Sequence, residues 1–205
     1  MGDAYTLPFA DSFAGGKLAY NIWYSERTGA NGFALNDKTS ADNDGGCISF
    51  LAAEAKAIAS FCSGKIALGN CDSPVLTFDY YCNPGSEDVL LAEINRAYID
   101  TTAVMTIDFS KETGVAGWRH AVVSLQQFKS APYIQLAFLS QIAKVGNAVM
   151  IDNIKIENNP ELSVNGIMAD VAKDKKVYDL AGRLLKSACI HDGIYIKDGK
   201  KIAVK

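Results

Sequence analysis

The chain has little of what zinc-binding, nucleic-acid-binding and membrane-spanning proteins need. Its 205 residues include only two histidines, His120 and His191, and neither pairs with a cysteine at the spacing of a zinc site. The formal net charge is −3 and the pI is about 5.4, which argues against nucleic acid or an anionic membrane as a partner. No uninterrupted apolar run approaches the ~18 residues of a membrane span. The composition therefore predicts a globular protein with neither of these partners.

The sequence also lacks the motifs of common hydrolases. No G-x-S-x-G elbow or reactive-cysteine context accompanies His120. Glycosidases on sandwich folds need paired carboxylates on one strand, as in E-x-D-x-E, and no such strand is present. Asp79 and Glu93 stand alone, at polar positions of alternating strands. We therefore predict that the chain is not an enzyme, whereas a groove holding two convergent carboxylates would indicate a hydrolase.

Cysteines are odd in number, and they allow two interpretations. They are Cys47, Cys62, Cys71, Cys82 and Cys189. One short disulfide could join two of the three that are close in sequence, since an exported protein permits it. We favour buried free thiols, because no C-x-x-C spacing occurs and the chain is long enough to fold without staples.

Residues 4–157 alternate short β-prone segments with turn sequences. Those segments, rich in β-branched and aromatic residues, are Val75–Tyr81, Val89–Ile94, Ala103–Phe109, His120–Leu125, Tyr133–Phe138 and Ala148–Ile156. Strands at this spacing without long helical segments predict an all-β fold, a two-sheet antiparallel jelly-roll sandwich. Leu51–Ile58 has helical propensity, but we predict an extended segment with a loop there.

A second, smaller unit is predicted over residues 158–205, and the boundary between the two units is predicted within 157–161. Ile194–Ile196 and Ile202–Val204 flank Asp198-Gly199, which is a strong two-residue hairpin signal. The motifs V-Y-D-L-x-G-R, from Val177, and G-I-Y-I-x-x-G-K-K, from Gly193, predict a small all-β meander. They resemble the C-terminal sorting-type domains of Gram-negative proteins that use type IX secretion. This resemblance implies a protein that is secreted or held at the outer cell surface of a Gram-negative bacterium.

Four ordered segments of the larger unit carry a second resemblance. They are Leu7–Phe13 with Trp23 downstream, Ser73–Tyr81, Gly117-Trp118 followed by Val123–Leu125, and Met150–Ile156. Together they resemble the cleaved-adhesin and choice-of-anchor J domains, which are related to MAM domains. The resemblance implies a concanavalin-like jelly roll that is usually non-catalytic and attached to surface enzymes or adhesins. One departure is that the D-x-D-G-D-G loop typical of the group is replaced by 25–31.

The same resemblance implies a structural calcium site. In the related jelly rolls an acidic residue of the first strand and the aspartate of the last strand hold the ion, and these positions are Asp11 and Asp152. Asp42 and Asp44 in the loop 40–46 are candidates for further ligands, because calcium takes six to eight oxygens. The alternative is that the loop is only a solvated turn and that Asp152 caps strand backbone groups.

Exposed aromatic side chains are the candidates for ligand binding. Tyr24 and Tyr98 adjoin polar, loop-like sequence and are predicted to be exposed, whereas Trp23 and Trp118 are predicted to pack in the core. We therefore predict a non-catalytic adhesion or binding module for a glycan or a surface protein. The alternative is an accessory or spacer domain of a larger secreted peptidase or glycoside hydrolase.

Overall fold

The β-prone segments of the sequence form the strands of the computed structural model. It describes residues 3–28, 32–97, 99–159 and 161, together with the backbone of four strands within 177–204. Contacts divide the chain into two units, Met1–Ala169 and Asp170–Lys205. The boundary predicted within 157–161 stays a prediction.

In its described residues, the larger unit contains β1 to β13 and three short 3-10 turns. The strands are β1 Tyr5–Thr6, β2 Phe9–Asp11, β3 Tyr24–Thr28, β4 Ala34–Asn36, β5 Cys47–Leu51, β6 Ala57–Cys62, β7 Ile66–Ala67, β8 Pro74–Cys82, β9 Val89–Arg96, β10 Asp100–Asp108, β11 Gly117–Ser124, β12 Ile134–Ile142 and β13 Ala148–Asn158. The 3-10 turns are Ala14–Gly16, Phe109–Lys111 and Gln126–Phe128. Among the described residues, no helix has the length and apolar character needed to cross a membrane.

These strands form two sheets. In the larger sheet β12 is central, with β9 and then β10 on one side and β6, β3, β7 and β1 on the other. The smaller sheet runs β11-β8-β13-β5-β4, and β2 also pairs with β13. Apart from the parallel pair β1–β7, neighbours in both sheets are antiparallel. The predicted all-β, two-sheet sandwich is confirmed.

Alternation along the strands places the core between the sheets. In β9 and β12 every second residue is buried, as expected for strands with one face in the core. Phe78 of one sheet meets Phe138 of the other, with ring centroids 4.9 Å apart. At one end of the core Trp23 stacks on Phe61 at 4.6 Å. Trp23 is half-buried and packs against this core, as predicted. The predicted core position of Trp118 is wrong, because Trp118 is half-buried against Tyr81 and is not among the core residues.

An early strand of the larger unit, β2, lies beside its last strand, β13. Phe9 pairs with Ile156 and Asp11 with Ile154 in an antiparallel register. This pairing joins the two ends of the unit through backbone hydrogen bonds, and Phe9, Ile154 and Ile156 are fully buried. β13 also carries an irregularity between Asp152 and Lys155 in its pairing with β8.

The structure describes four of the five cysteines and the segment 51–58, which has helical propensity. Cys47, Cys62, Cys71 and Cys82 are buried and free, and Cys189 lies outside the described residues. The segment 51–58 is extended at both ends, because β5 ends at Leu51 and β6 begins at Ala57 after a turn.

The smaller unit contains a four-stranded antiparallel sheet of order β15-β14-β16-β17. Its strands are β14 Val177–Tyr178, β15 Leu184–Leu185, β16 Gly193–Lys197 and β17 Lys200–Val204. The last two pair from Lys197↔Lys200 outward, so they form the hairpin that the sequence predicts. The role of this unit as a sorting signal stays a prediction.

Candidate functional site

Three of the four predicted metal ligands come together beside β13 of the smaller sheet. Asp42 and Asp44 lie in the loop between β4 and β5, and Asp152 lies on β13. Carboxylate oxygens of the three residues all lie within 4.8 Å of one another. The loop is shaped by its own side chains, since the backbone N–H of Asp44 donates to Asp42 and that of Gly46 donates to Asp44. We name these three residues the carboxylate triad.

Asp152 is the buried member of the triad. It has no exposed surface, and its carboxylate accepts backbone hydrogen bonds from Ala41 and Asn153, both at 2.7 Å. The pKa of Asp152 is raised to about 6, chiefly by burial and less by the charges of Asp44 and Asp42, against the two hydrogen bonds, which lower it. Asn153 has a left-handed φ of 49°, which an asparagine tolerates better than most residues. The local backbone therefore holds the Asp152 carboxyl group in a buried position, where its ionisation is unfavourable.

Such a triad has the chemistry of a calcium site. It supplies only oxygen donors, which a hard cation prefers, and it concentrates negative charge around a buried carboxylate. No salt bridge among the described residues joins a lysine or arginine to the triad. A divalent cation would neutralise this charge, so the residues present fit the ion that the resemblance implies.

Asp11 is the fourth predicted ligand, and the structure gives it other partners. It is buried and lies outside the triad. One carboxylate oxygen accepts from the backbone N–H of Phe13 at 3.1 Å. The other accepts from Ala19 N–H at 3.0 Å and from the indole Nε1–H of Trp23 at 2.8 Å. Asp11 therefore ties the end of β2 to the aromatic cluster, and burial raises the pKa of its carboxyl.

Replacing this carboxylate is expected to destabilise the larger unit. In Asp11→Asn one oxygen becomes an NH2 group that faces donors, so the free energy of unfolding is expected to fall by about 2 kcal/mol. Urea unfolding followed by tryptophan fluorescence measures it, because both tryptophans lie in this unit. Asp72→Asn, at an exposed position, is the control. An equal loss with calcium and with a chelator is expected, whereas a loss seen only with calcium would contradict the structural role and make Asp11 a ligand.

A groove of about 320 Å³ lies on the outward face of the larger sheet. Strand register explains which residues line it. Tyr24 on β3 is opposite Cys62 on β6. Cys62 is opposite Ala137 on β12, and Ala137 is opposite Glu93 on β9. Opposed residues share a face of the sheet, so these side chains form one row. Other lining residues are Glu26, Ser60, Asn95, Thr101, Gln135, Leu136 and Leu139. The groove therefore combines polar and apolar groups, with Tyr24 as its exposed aromatic at 45% exposure.

Tyr98, the other tyrosine predicted to bind a ligand, lies outside the described residues. Tyr133 is half-buried, and the Lys65 ammonium lies 4.9 Å from its ring centroid.

Sequence reasoning misses most of the groove. It predicts that Glu93 is an isolated outward residue, and it does not single out Glu26, Asn95 or Gln135. A signal is present, because Glu93 and Asn95 are two residues apart in a strand whose intervening residues are buried. A polar pair at that spacing marks the outward face of a sheet.

Several solved structures have a fold similar to that of the larger unit. No family model matches the chain, and no curated protein matches it. Among solved structures, the K1 cleaved adhesin domain of Lys-gingipain from Porphyromonas gingivalis W83 is similar with a TM-score of 0.56 and 16% identity, over 74% of this chain and 98% of that one. The K3 domain of the same protein gives 0.53 and 13%, over 73% and 96%. TmCBM61, solved in complex with β-1,4-galactotriose, gives 0.56 and 10%, over 73% and 95%.

At these identities the likeness establishes the fold. The chain has an adhesin-like and carbohydrate-binding-module-like β-sandwich.

Proposed function

We propose that residues 4–157 form a non-catalytic extracellular binding module that takes an oligosaccharide in the groove. The observation that carries this is the row of outward side chains across β3, β6, β12 and β9, with exposed Tyr24 at one end. Sugar sites need a concave surface, an aromatic face and a few polar groups that fix orientation, and the groove has all three. The module belongs to a protein exported to the surface of a Gram-negative bacterium.

Similar structures support this proposal by their class. Two of them are cleaved adhesin domains, and a third, TmCBM61, was solved with a bound galactotriose. We infer that this chain uses its sandwich in the same general way, as a rigid platform for recognition.

The strand positions of the two groove carboxylates favour binding over hydrolysis. Glu26 is on β3 and Glu93 on β9, with β6 and β12 between them. Three strand spacings separate their backbones by about 14 Å. Glycosidases hold their paired carboxyl groups about 5–5.5 Å apart for retention and about 6.5–9.5 Å apart for inversion. Carboxylates on strands this distant are better suited to binding than to bond cleavage.

We also propose that calcium binds the carboxylate triad and has a structural role. The ion would link the loop between β4 and β5 to β13, which is the strand that also pairs with β2. Bound there, the ion would stabilise the closure of the sandwich without contacting the groove residues of the opposite sheet.

Removing the exposed tyrosine is expected to abolish most oligosaccharide binding. A glycan array first selects a ligand, and isothermal titration calorimetry then compares the chain with Tyr24→Ala. Because the ring supplies the apolar face, the affinity should fall at least about tenfold, or about 1.4 kcal/mol. Tyr81→Ala is the matched control, since Tyr81 is a half-buried aromatic on the other sheet. Unchanged affinity in Tyr24→Ala would reject this groove, and silence of the whole array would favour the spacer role.

A further inference from the structure

The groove carries negative charge. Glu26 and Glu93 both line it, and the described lining residues include no lysine, arginine or histidine. A concave surface of one charge sign attracts ligands of the opposite sign and repels those of the same sign.

The two glutamates flank the groove floor from its two outer strands, Glu26 on β3 and Glu93 on β9. Glu93 is opposite Ala137, and Ala137 is opposite Cys62. Glu26 is opposite Ser60, which is two residues before Cys62 on β6. The pKa of the Cys62 thiol is raised chiefly by burial, and the charges of Glu26 and Glu93 raise it further. The two charges therefore act together on the middle of the groove from its two sides.

The groove is also rich in hydrogen-bond acceptors. Each carboxylate only accepts. Gln135 donates through its amide nitrogen to the backbone carbonyl of Ser63 at 3.3 Å, and its amide oxygen adds a further acceptor. A complementary ligand must supply donors, and an ammonium group is the side group that offers three donors and no acceptor. The face of Tyr24 adds a surface on which a cation is stabilised by the aromatic ring.

We propose that the groove selects oligosaccharides that carry free amino groups, such as unacetylated hexosamine chains, and rejects acidic ones. This inference rests on the proposed function and adds the chemical class of its ligand. Each ammonium would form charge-assisted hydrogen bonds with Glu93 or Glu26. Sugar hydroxyls would meet the polar groups of Asn95, Thr101 and Gln135.

The test compares three ligands of equal length by calorimetry on the whole chain. They are a β-1,4-linked glucosamine tetramer, its N-acetylated counterpart and a galacturonate tetramer, at a pH where the amine is protonated. The amine form is expected to bind at least about tenfold more tightly than the acetylated form. The galacturonate is expected to show no binding. Added salt should weaken only the amine form, because the preference is electrostatic.

Charge-removing variants then assign the preference to the groove. Glu26→Gln and Glu93→Gln keep the shape of the side chains, and the double variant is expected to bind both glucosamine forms within about twofold of each other. Glu87→Gln is the control, because Glu87 is exposed and is not a lining residue. Unchanged thermal midpoints verify that the variants fold.

The possible results distinguish the preference for amino sugars from the proposed binding of oligosaccharides. Equal or tighter binding of the acetylated or acidic tetramer would overturn the inference and leave the proposed function standing. A preference that survives in the double variant would also overturn it. Binding of none of these tetramers, together with silence on the glycan array, would overturn the proposed function itself.

Discussion

Gly46→Ala is expected to unfold the larger unit or to destabilise it by more than about 4 kcal/mol. A Cβ at this position would lie 1.7 Å from the carbonyl oxygen of Phe13, 2.7 Å from its carbonyl carbon and 2.8 Å from the backbone nitrogen of Gly16. All three neighbours are backbone atoms, so no side-chain rotation can relieve the overlap. The residue must be glycine because two chain segments touch there.

Both segments have fixed positions. Phe13 is buried in the core with a left-handed φ of 55°, and the Gly15 N–H after it donates to the carbonyl of Asp44 at 3.2 Å. A methyl group must displace Phe13 from the core or push the loop that holds Asp44 away. The substitution should therefore lower the affinity for calcium as well as the stability.

Urea unfolding followed by tryptophan fluorescence measures the first effect. Gly117→Ala is the matched control, since a Cβ there would meet nothing within 4 Å and the residue has no positive φ. That control should change the free energy of unfolding by at most about 0.5 kcal/mol. A Gly46→Ala chain that unfolds at the same urea concentration as the parent would contradict the close packing of the two segments.

The sandwich could be predicted because it depends on local patterns. Alternation of buried and outward residues in β9 and β12 follows directly from the sequence. The hairpin of β16 and β17 follows from the turn residues between them. No local pattern specifies that the distant strands β2 and β13 pair. The family resemblance brings them together only by implying that acidic residues of the first and last strands hold one ion.

The candidate sites depend on contacts that a single sequence does not encode locally. Glu26 and Glu93 share a groove because the sheet order places β6 and β12 between their strands, and that order is not sequential. Asp11, at the end of β2, has the position near the start of the larger unit that the resemblance implies for a ligand. Its actual partners, Ala19 and the indole of Trp23, depend on how the turn after β2 folds back over the core.

Calcium is expected to stabilise the chain in a pH-dependent way. Asp152 has a folded-state pKa of about 6, above the ordinary 3.8, so folding favours its protonated form. Its contribution to stability is fully present below about pH 3.8 and is lost as the pH rises through about 6. With a chelator present, ionisation of this carboxyl should therefore cost about 3 kcal/mol across that window. Bound calcium stabilises the ionised form, so it should restore stability above about pH 6 and have little effect near pH 4.

Urea unfolding at both ends of this window, with calcium or with a chelator, tests the calcium site. Calcium at a hundredfold over its dissociation constant should add about 2.7 kcal/mol at neutral pH. The double variant Asp42→Asn, Asp44→Asn is the matched comparison, because it removes two ligands and both charges that raise the pKa of Asp152. Asp11 also has a raised pKa, but its contribution is the same in both chains and cancels. The parent should lose more stability with rising pH than the variant and should alone respond to calcium. An identical response in both chains would place any calcium effect outside the triad, and no response in either would remove calcium from the proposed function.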